Sequence, residues 1–142
     1  MNNRISVALS ISALVVALAV PVLAQQVRLH ASVPFEFAIA GKTLPPGDYL
    51  IERGPSFVIL KGLGVHASAM SVTTNAYVDG ADPAAATKLI FDRVGDKYFL
   101  SQVLNGYESV GMQLPTSREE REMTKTSSAA TPKKVTILAS LR

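Results

Sequence analysis

The 142-residue chain has no cysteine, no tryptophan and two histidines, His30 and His66. Without cysteine there is no disulfide scaffold, no thiolate metal centre and no cysteine nucleophile. The acylated cysteine of a lipid-anchored lipoprotein is excluded on the same ground. Charged residues make up 18% and aromatic residues 6%, against a hydrophobic share of 48%. That apolar content excludes a disordered chain, and the length suits one domain rather than two. Gly-x-Ser-x-Gly is absent, and neither histidine stands in a His-x-Glu or His-x₃-His spacing. The sequence therefore carries no recognisable hydrolase or zinc motif, and no cofactor is expected.

Charge is also missing from the N-terminal stretch, where nothing ionisable follows Arg4 until Arg28. Ile5 to Val20 consists of Ile, Val, Leu and Ala interrupted only by Ser6, Ser10 and Ser12; Pro21 then precedes Val22-Leu23-Ala24. This is the order of a secretory signal peptide, with cleavage expected between Ala24 and Gln25. A retained anchor is the competing expectation, since about 20 apolar residues can span a bilayer. Pro21 just ahead of the small-residue site favours cleavage. No twin arginine precedes the run, which points to the general secretory route. Removing 24 of the 142 residues leaves 118 with no second long apolar run, so the mature chain is expected in the periplasm or outside the cell, without a membrane span.

The positive net charge has a local origin. Residues 25–117 hold 7 basic and 8 acidic side chains, whereas residues 118–142 hold 6 and 3. Nucleic-acid binding needs clustered Lys and Arg on one face, and the body of the chain offers none.

What is present reads as strands and tight turns. Val27, Leu29, Ala31 and Val33 alternate with polar neighbours, and Phe35, Phe37 and Ile39 resume the period after Pro34. Gly41-Lys42, Pro45-Pro46-Gly47-Asp48, Gly54-Pro55-Ser56 and Gly62 to Gly64 mark turns. Tyr49 to Arg53 and Phe57 to Leu60 are strands between them. Val65 to Val78, rich in Ala, Ser and Thr, reads as an edge or bent strand, followed by a loop at 79–83. Thr87 to Val94 and Lys97 to Leu104 form a hairpin about Gly95-Asp96, whose leading glycine suits a type II′ turn. Asn105-Gly106 offers a further hairpin into Tyr107 to Leu114. Residues 117–125 form the one helix, capped by Thr116 or Ser117 with Glu119 and Glu120 three residues on. It is polar all round and expected on the surface. A connector at 126–132 leads to a final strand at 133–141 that can pair beside the first and close the sheet. The fold class is all-β: an antiparallel sandwich or barrel of about 7–8 strands with one short helix near the C-terminus.

Four stretches carry a resemblance: Val33-Pro-Phe-Glu-Phe37, Lys42-Thr-Leu-Pro-Pro-Gly-Asp-Tyr49, Asp96-Lys-Tyr-Phe-Leu-Ser-Gln-Val103 and Leu114-Pro-Thr-Ser-Arg-Glu-Glu-Arg121. In this order the chain resembles a family of small secreted bacterial all-β proteins with no assigned activity. The resemblance spans nearly the whole mature chain and implies one domain; it brings no catalytic residue with it.

Candidate sites are few. His30 and His66, each on an alternating strand, are expected to face solvent. Asp79 with Asp82, and Asp92 with Asp96, are carboxylate pairs in principle. Turn geometry accounts for Asp79, Asp82 and Asp96, and Asp-Gly-Ala-Asp falls short of the oxygen density of a calcium loop. Phe35, Phe37, Phe57, Phe91, Tyr98 and Phe99 either line an apolar pocket inside a small barrel or form its core, and the core reading is favoured because a domain this small must bury most of its apolar surface. Arg118, Glu119, Arg121 and Glu122 form a candidate partner surface on the helix, with Arg118 and Glu122 at pairing distance. The expected role is a secreted, non-enzymatic domain with a binding or structural function in the cell envelope, partnering another envelope protein. The alternative is a carrier of a small apolar ligand in the barrel cavity.

Overall fold

The computed structural model describes residues 28–77, 86–105, 110–127 and 131–141. The expected signal segment with its expected Ala24–Gln25 cleavage, the 79–82 loop and Gly106 lie outside these residues. Strands run in the order β1 (Arg28–Val33), β2 (Phe37–Ile39), β3 (Lys42–Leu44), β4 (Gly47–Arg53), β5 (Phe57–Leu63), β6 (Ser68–Val72), β7 (Thr74–Tyr77), β8 (Thr87–Val94), β9 (Lys97–Leu104) and β10 (Val110–Gln113). Helix α1 (Arg118–Thr126) and β11 (Lys133–Leu141) complete the chain.

Hydrogen-bonded neighbours follow the path β3-β2-β9-β8-β11-β1-β4-β5-β6, with β10 bridging β9 and β7. The expected closure is present: β11 pairs with β8 from Lys133 to Ala139 and then with β1 through Ser140 and Leu141. The ends of the path approach each other, where Lys42 Nζ donates to the Ser68 carbonyl at 2.7 Å across the seam from β3 to β6. The result is a nearly closed, barrel-like sheet with one short helix. It holds more strands than expected because β2 and β3 form a separate hairpin of three-residue strands and the thin 65–78 region divides in two. That region bends at Thr73, so β6 pairs with β5 and β7 pairs with β10. One pairing is parallel, Ala38 beside Phe99.

Turn chemistry explains the hairpins. Gly95 takes φ +60°, and Asp96 stays at negative φ because Ala40 is the one non-glycine residue with positive φ among those described. This fits the expected type II′ turn. The β2–β3 turn is Ala40-Gly41, not Gly41-Lys42: both residues have positive φ, 49° and 78°, and Ile39 pairs with Lys42. Left-handed φ at both central positions is the type I′ requirement, met here at some cost by an alanine.

The interior is filled by side chains from every wall. Phe37, Tyr49, Phe91, Leu29, Leu60, Leu89 and Val103 are each 1% exposed or less. A bulge between Ile90 and Phe91 on the β8–β9 ladder leaves Ser101 unpaired, which lets Leu100 and Val103 both face inward. Tyr49 adds a polar tie, donating its hydroxyl to the Pro45 carbonyl at 2.5 Å. Burial holds that phenol above its ordinary pKa, so it stays neutral and able to donate.

Candidate functional site

The six aromatic positions separate into three groups. Phe35, Phe37, Phe91 and Tyr98 make a continuous cluster: Phe35 stacks on Tyr98 at 3.9 Å between centroids, and Phe91 meets Phe35 and Phe37 edge-on at 5.2 and 5.3 Å. Tyr49 closes the series against Phe37 at 5.3 Å. Phe99 lies apart, on the outer face of the sheet, packed with Ala38, Val94 and Met123. Phe57 is half-buried at the edge of Gly54 and pairs across strands with Val72. The six therefore do not enclose one ligand chamber. Phe37 and Phe91 fill the core, and Phe35, Phe37 and Tyr98 border a shallow cleft of about 240 Å³ rimmed by Glu36, Lys97 and Glu119.

Helix α1 is less uniformly solvated than its sequence reads. Ser117 accepts from the Glu120 backbone N–H at 3.1 Å, and the Glu120 carboxylate accepts in return from the Ser117 backbone. Both halves of the capping box are thus formed. Glu120 is buried and Met123 half-buried, so one face of the helix covers Phe99 and Val94. Beneath it Asp92 is nearly buried and bound to Lys134 Nζ at 2.5 Å. Desolvation, with the negative charge of Asp92 second, raises the Glu120 pKa. On the outward face, Arg118 pairs with Glu122 at 2.8 Å and Glu119 with Lys97. Three of the four candidate partner residues therefore carry internal ion pairs, and Arg121 is exposed.

The histidines stand apart in role. His30 faces outward on β1, with Nε2 3.9 Å from Asp48 Oδ1. His66 is exposed in the β5–β6 turn rather than on a strand, a turn folded so tightly that a Cβ at Gly62 would come 2.6 Å from the Val65 carbonyl. Asp92 and Asp96 do not make a carboxylate pair: Asp92 is bound by Lys134, and the fully exposed Asp96 lies 3.9 Å from Arg93. Among the described residues no group of three or more His, Asp or Glu could hold a metal ion. No helix among them is long and apolar enough to cross a membrane.

The feature that composition did not disclose is on the outside of the bent strand. Met70, Val72 and Tyr77 are 62%, 67% and 85% exposed. Met70 and Val72 sit opposite Ile59 and Phe57 on β5, both half-exposed, so the outer face carries a two-strand apolar patch. Beside it, a groove of about 650 Å³ runs along the seam between β2–β3 and β5–β6. Lys61 stands at its rim and holds Glu52 Oε2 at 2.8 Å. That bond, then the charges of Lys61 and Arg28, keep the Glu52 carboxyl below its ordinary pKa despite its burial. The sequence signal was the lack of any charge or proline from Ser68 to Tyr77. No family model, curated protein or solved structure matches the chain.

Proposed function

We propose that the protein is an exported, non-enzymatic β-domain that binds a component of the cell envelope through the outer surface of its bent strand, β6–β7. Export is supported by the Arg4 to Ala24 pattern and by the resemblance carried by the four motifs. The binding role rests on one observation, the exposure of Met70, Val72 and Tyr77 along ten residues without charge or proline. Edge strands are ordinarily protected by Lys, Pro or bulges, and an exposed apolar patch such as Met70 and Val72 form with Ile59 and Phe57 marks an interaction site. The helix surface supports partnering less, because its charges are largely paired within the molecule. A carrier role in the barrel interior has little room, since Phe37, Tyr49, Phe91 and Leu60 occupy that space.

A photo-crosslinking residue placed at Val72 in the producing cells tests this reading, with the same residue at Arg121 as control. A discrete adduct from position 72 and none from position 121 is the expected result. Equal labelling from both sites, or none from position 72, contradicts it.

A further inference from the structure

We infer that the seam groove is a binding site for a single-chain anionic amphiphile, with its carboxylate or phosphate head on Lys42 and Lys61 and its methylene chain along the outward-facing Ile59 and Met70. This rests on the binding role just proposed and names the chemistry of the component. The floor is apolar, and the charged side chains of the lining are the two lysines alone. That bias is local: residues 25–117 as a whole hold more acids than bases. Glu52, the partner of Lys61, does not line the groove.

Lys42 is set to exchange partners. Its ammonium bridges the seam to the Ser68 carbonyl, an exposed and neutral acceptor. An anionic head offers the same ammonium a charge-assisted bond, roughly twice as strong as one to a neutral group. The groove's width selects the occupant. Cα atoms of β6 come within 8 Å of β2 and β3, whereas a hydrogen-bonded strand inserted between two others needs about 9.5 Å. At those points the gap is too narrow for a peptide strand. A second copy of this protein would bring to β6 another uncharged strand, with no anion for the lysines.

Calorimetric titration of the purified exported protein tests the site, using laurate, monododecyl phosphate and dodecyltrimethylammonium below their micelle concentrations. Laurate or dodecyl phosphate is expected to bind one to one and at least tenfold more tightly than the cation; whichever binds better identifies the head group. Lys42→Gln should weaken binding about threefold to fivefold, the worth of one exposed ion pair. Met70→Glu, which sets a carboxylate in the groove, should weaken it more than tenfold. Met70 is 62% exposed, so the barrel should keep its melting temperature; if it does not, Lys42→Gln and the cation comparison decide. Equal affinity for the cation, non-saturating uptake, or unchanged binding in both variants overturns the site. If the amphiphiles fail while the Val72 adduct persists, this inference falls and the binding role stands. If the adduct is absent as well, both fall.

Discussion

At Tyr49 a single hydroxyl joins the core to the turn that precedes its strand. Tyr49→Phe keeps the ring against Phe37 but leaves the Pro45 carbonyl without its partner. It should cost about 1 kcal/mol in urea unfolding, the net worth of one buried hydrogen bond. Phe91→Ala removes a ring that touches both Phe35 and Phe37 and should cost about 3–5 kcal/mol. Ala40→Gly should act in the other direction, adding about 0.5–1 kcal/mol, because φ +49° strains an alanine and not a glycine. A loss of stability in that variant would contradict the turn assignment. At this scale the sequence was legible wherever the period held: Leu29, Ala31 and Val33 point inward as their alternation indicates. It failed on β9, where the bulge at Ser101 breaks the period. Past the bulge Val103 turns inward like Leu100, whereas Phe99, between inward Tyr98 and Leu100, keeps the plain alternation and lies on the outer face.

At the scale of the element, α1 shows how a polar helix docks. Glu120 caps the helix and sits in a part-buried site beside Asp92, so its raised pKa makes the folded state the better proton binder. The penalty is present at neutral pH and is relieved as pH falls through the folded-state value. Glu120→Gln keeps a capping side chain without the charge. It should unfold at slightly higher temperature than the parent at pH 7, by a few tenths of a kcal/mol, with the gap narrowing in acid. Ser117→Ala removes the hydroxyl that caps the Glu120 backbone N–H and should cost about 1 kcal/mol at either pH. Glu52 works with the opposite sign: its depressed pKa contributes stability above the unfolded-state value that is lost as pH falls through the folded one. Replacing Lys61 with Met should shrink that acid-side loss, leaving the share due to Arg28, while lowering stability at pH 7, measured by thermal melts across pH. The boundaries of α1 were readable from Ser117 and Glu120 to within one residue. Its docking was not, because a buried Glu looks like any surface Glu until the strand beneath it is known.

For the whole molecule, the all-β class and the return of the last strand to the first followed from turn spacing and period. The choice between sandwich and barrel did not, because one sequence does not show which strands pair. The 65–78 segment was readable as bent or at an edge, yet only the packed sheet shows that Met70 and Val72 face outward while Ala69 and Ser71 turn in. The same packing moves the ligand question from the filled interior to the seam. A barrel whose core is occupied can still bind along the line where its sheet fails to close.

The most direct measurement is native mass spectrometry of the protein released from its own envelope fraction, for the parent chain and for Met70→Glu. The expected parent species is the 118-residue chain from Gln25 to Arg142 carrying one anionic single-chain lipid, with the variant bare. A chain that retains its first 24 residues, or parent and variant equally bare, would contradict the account.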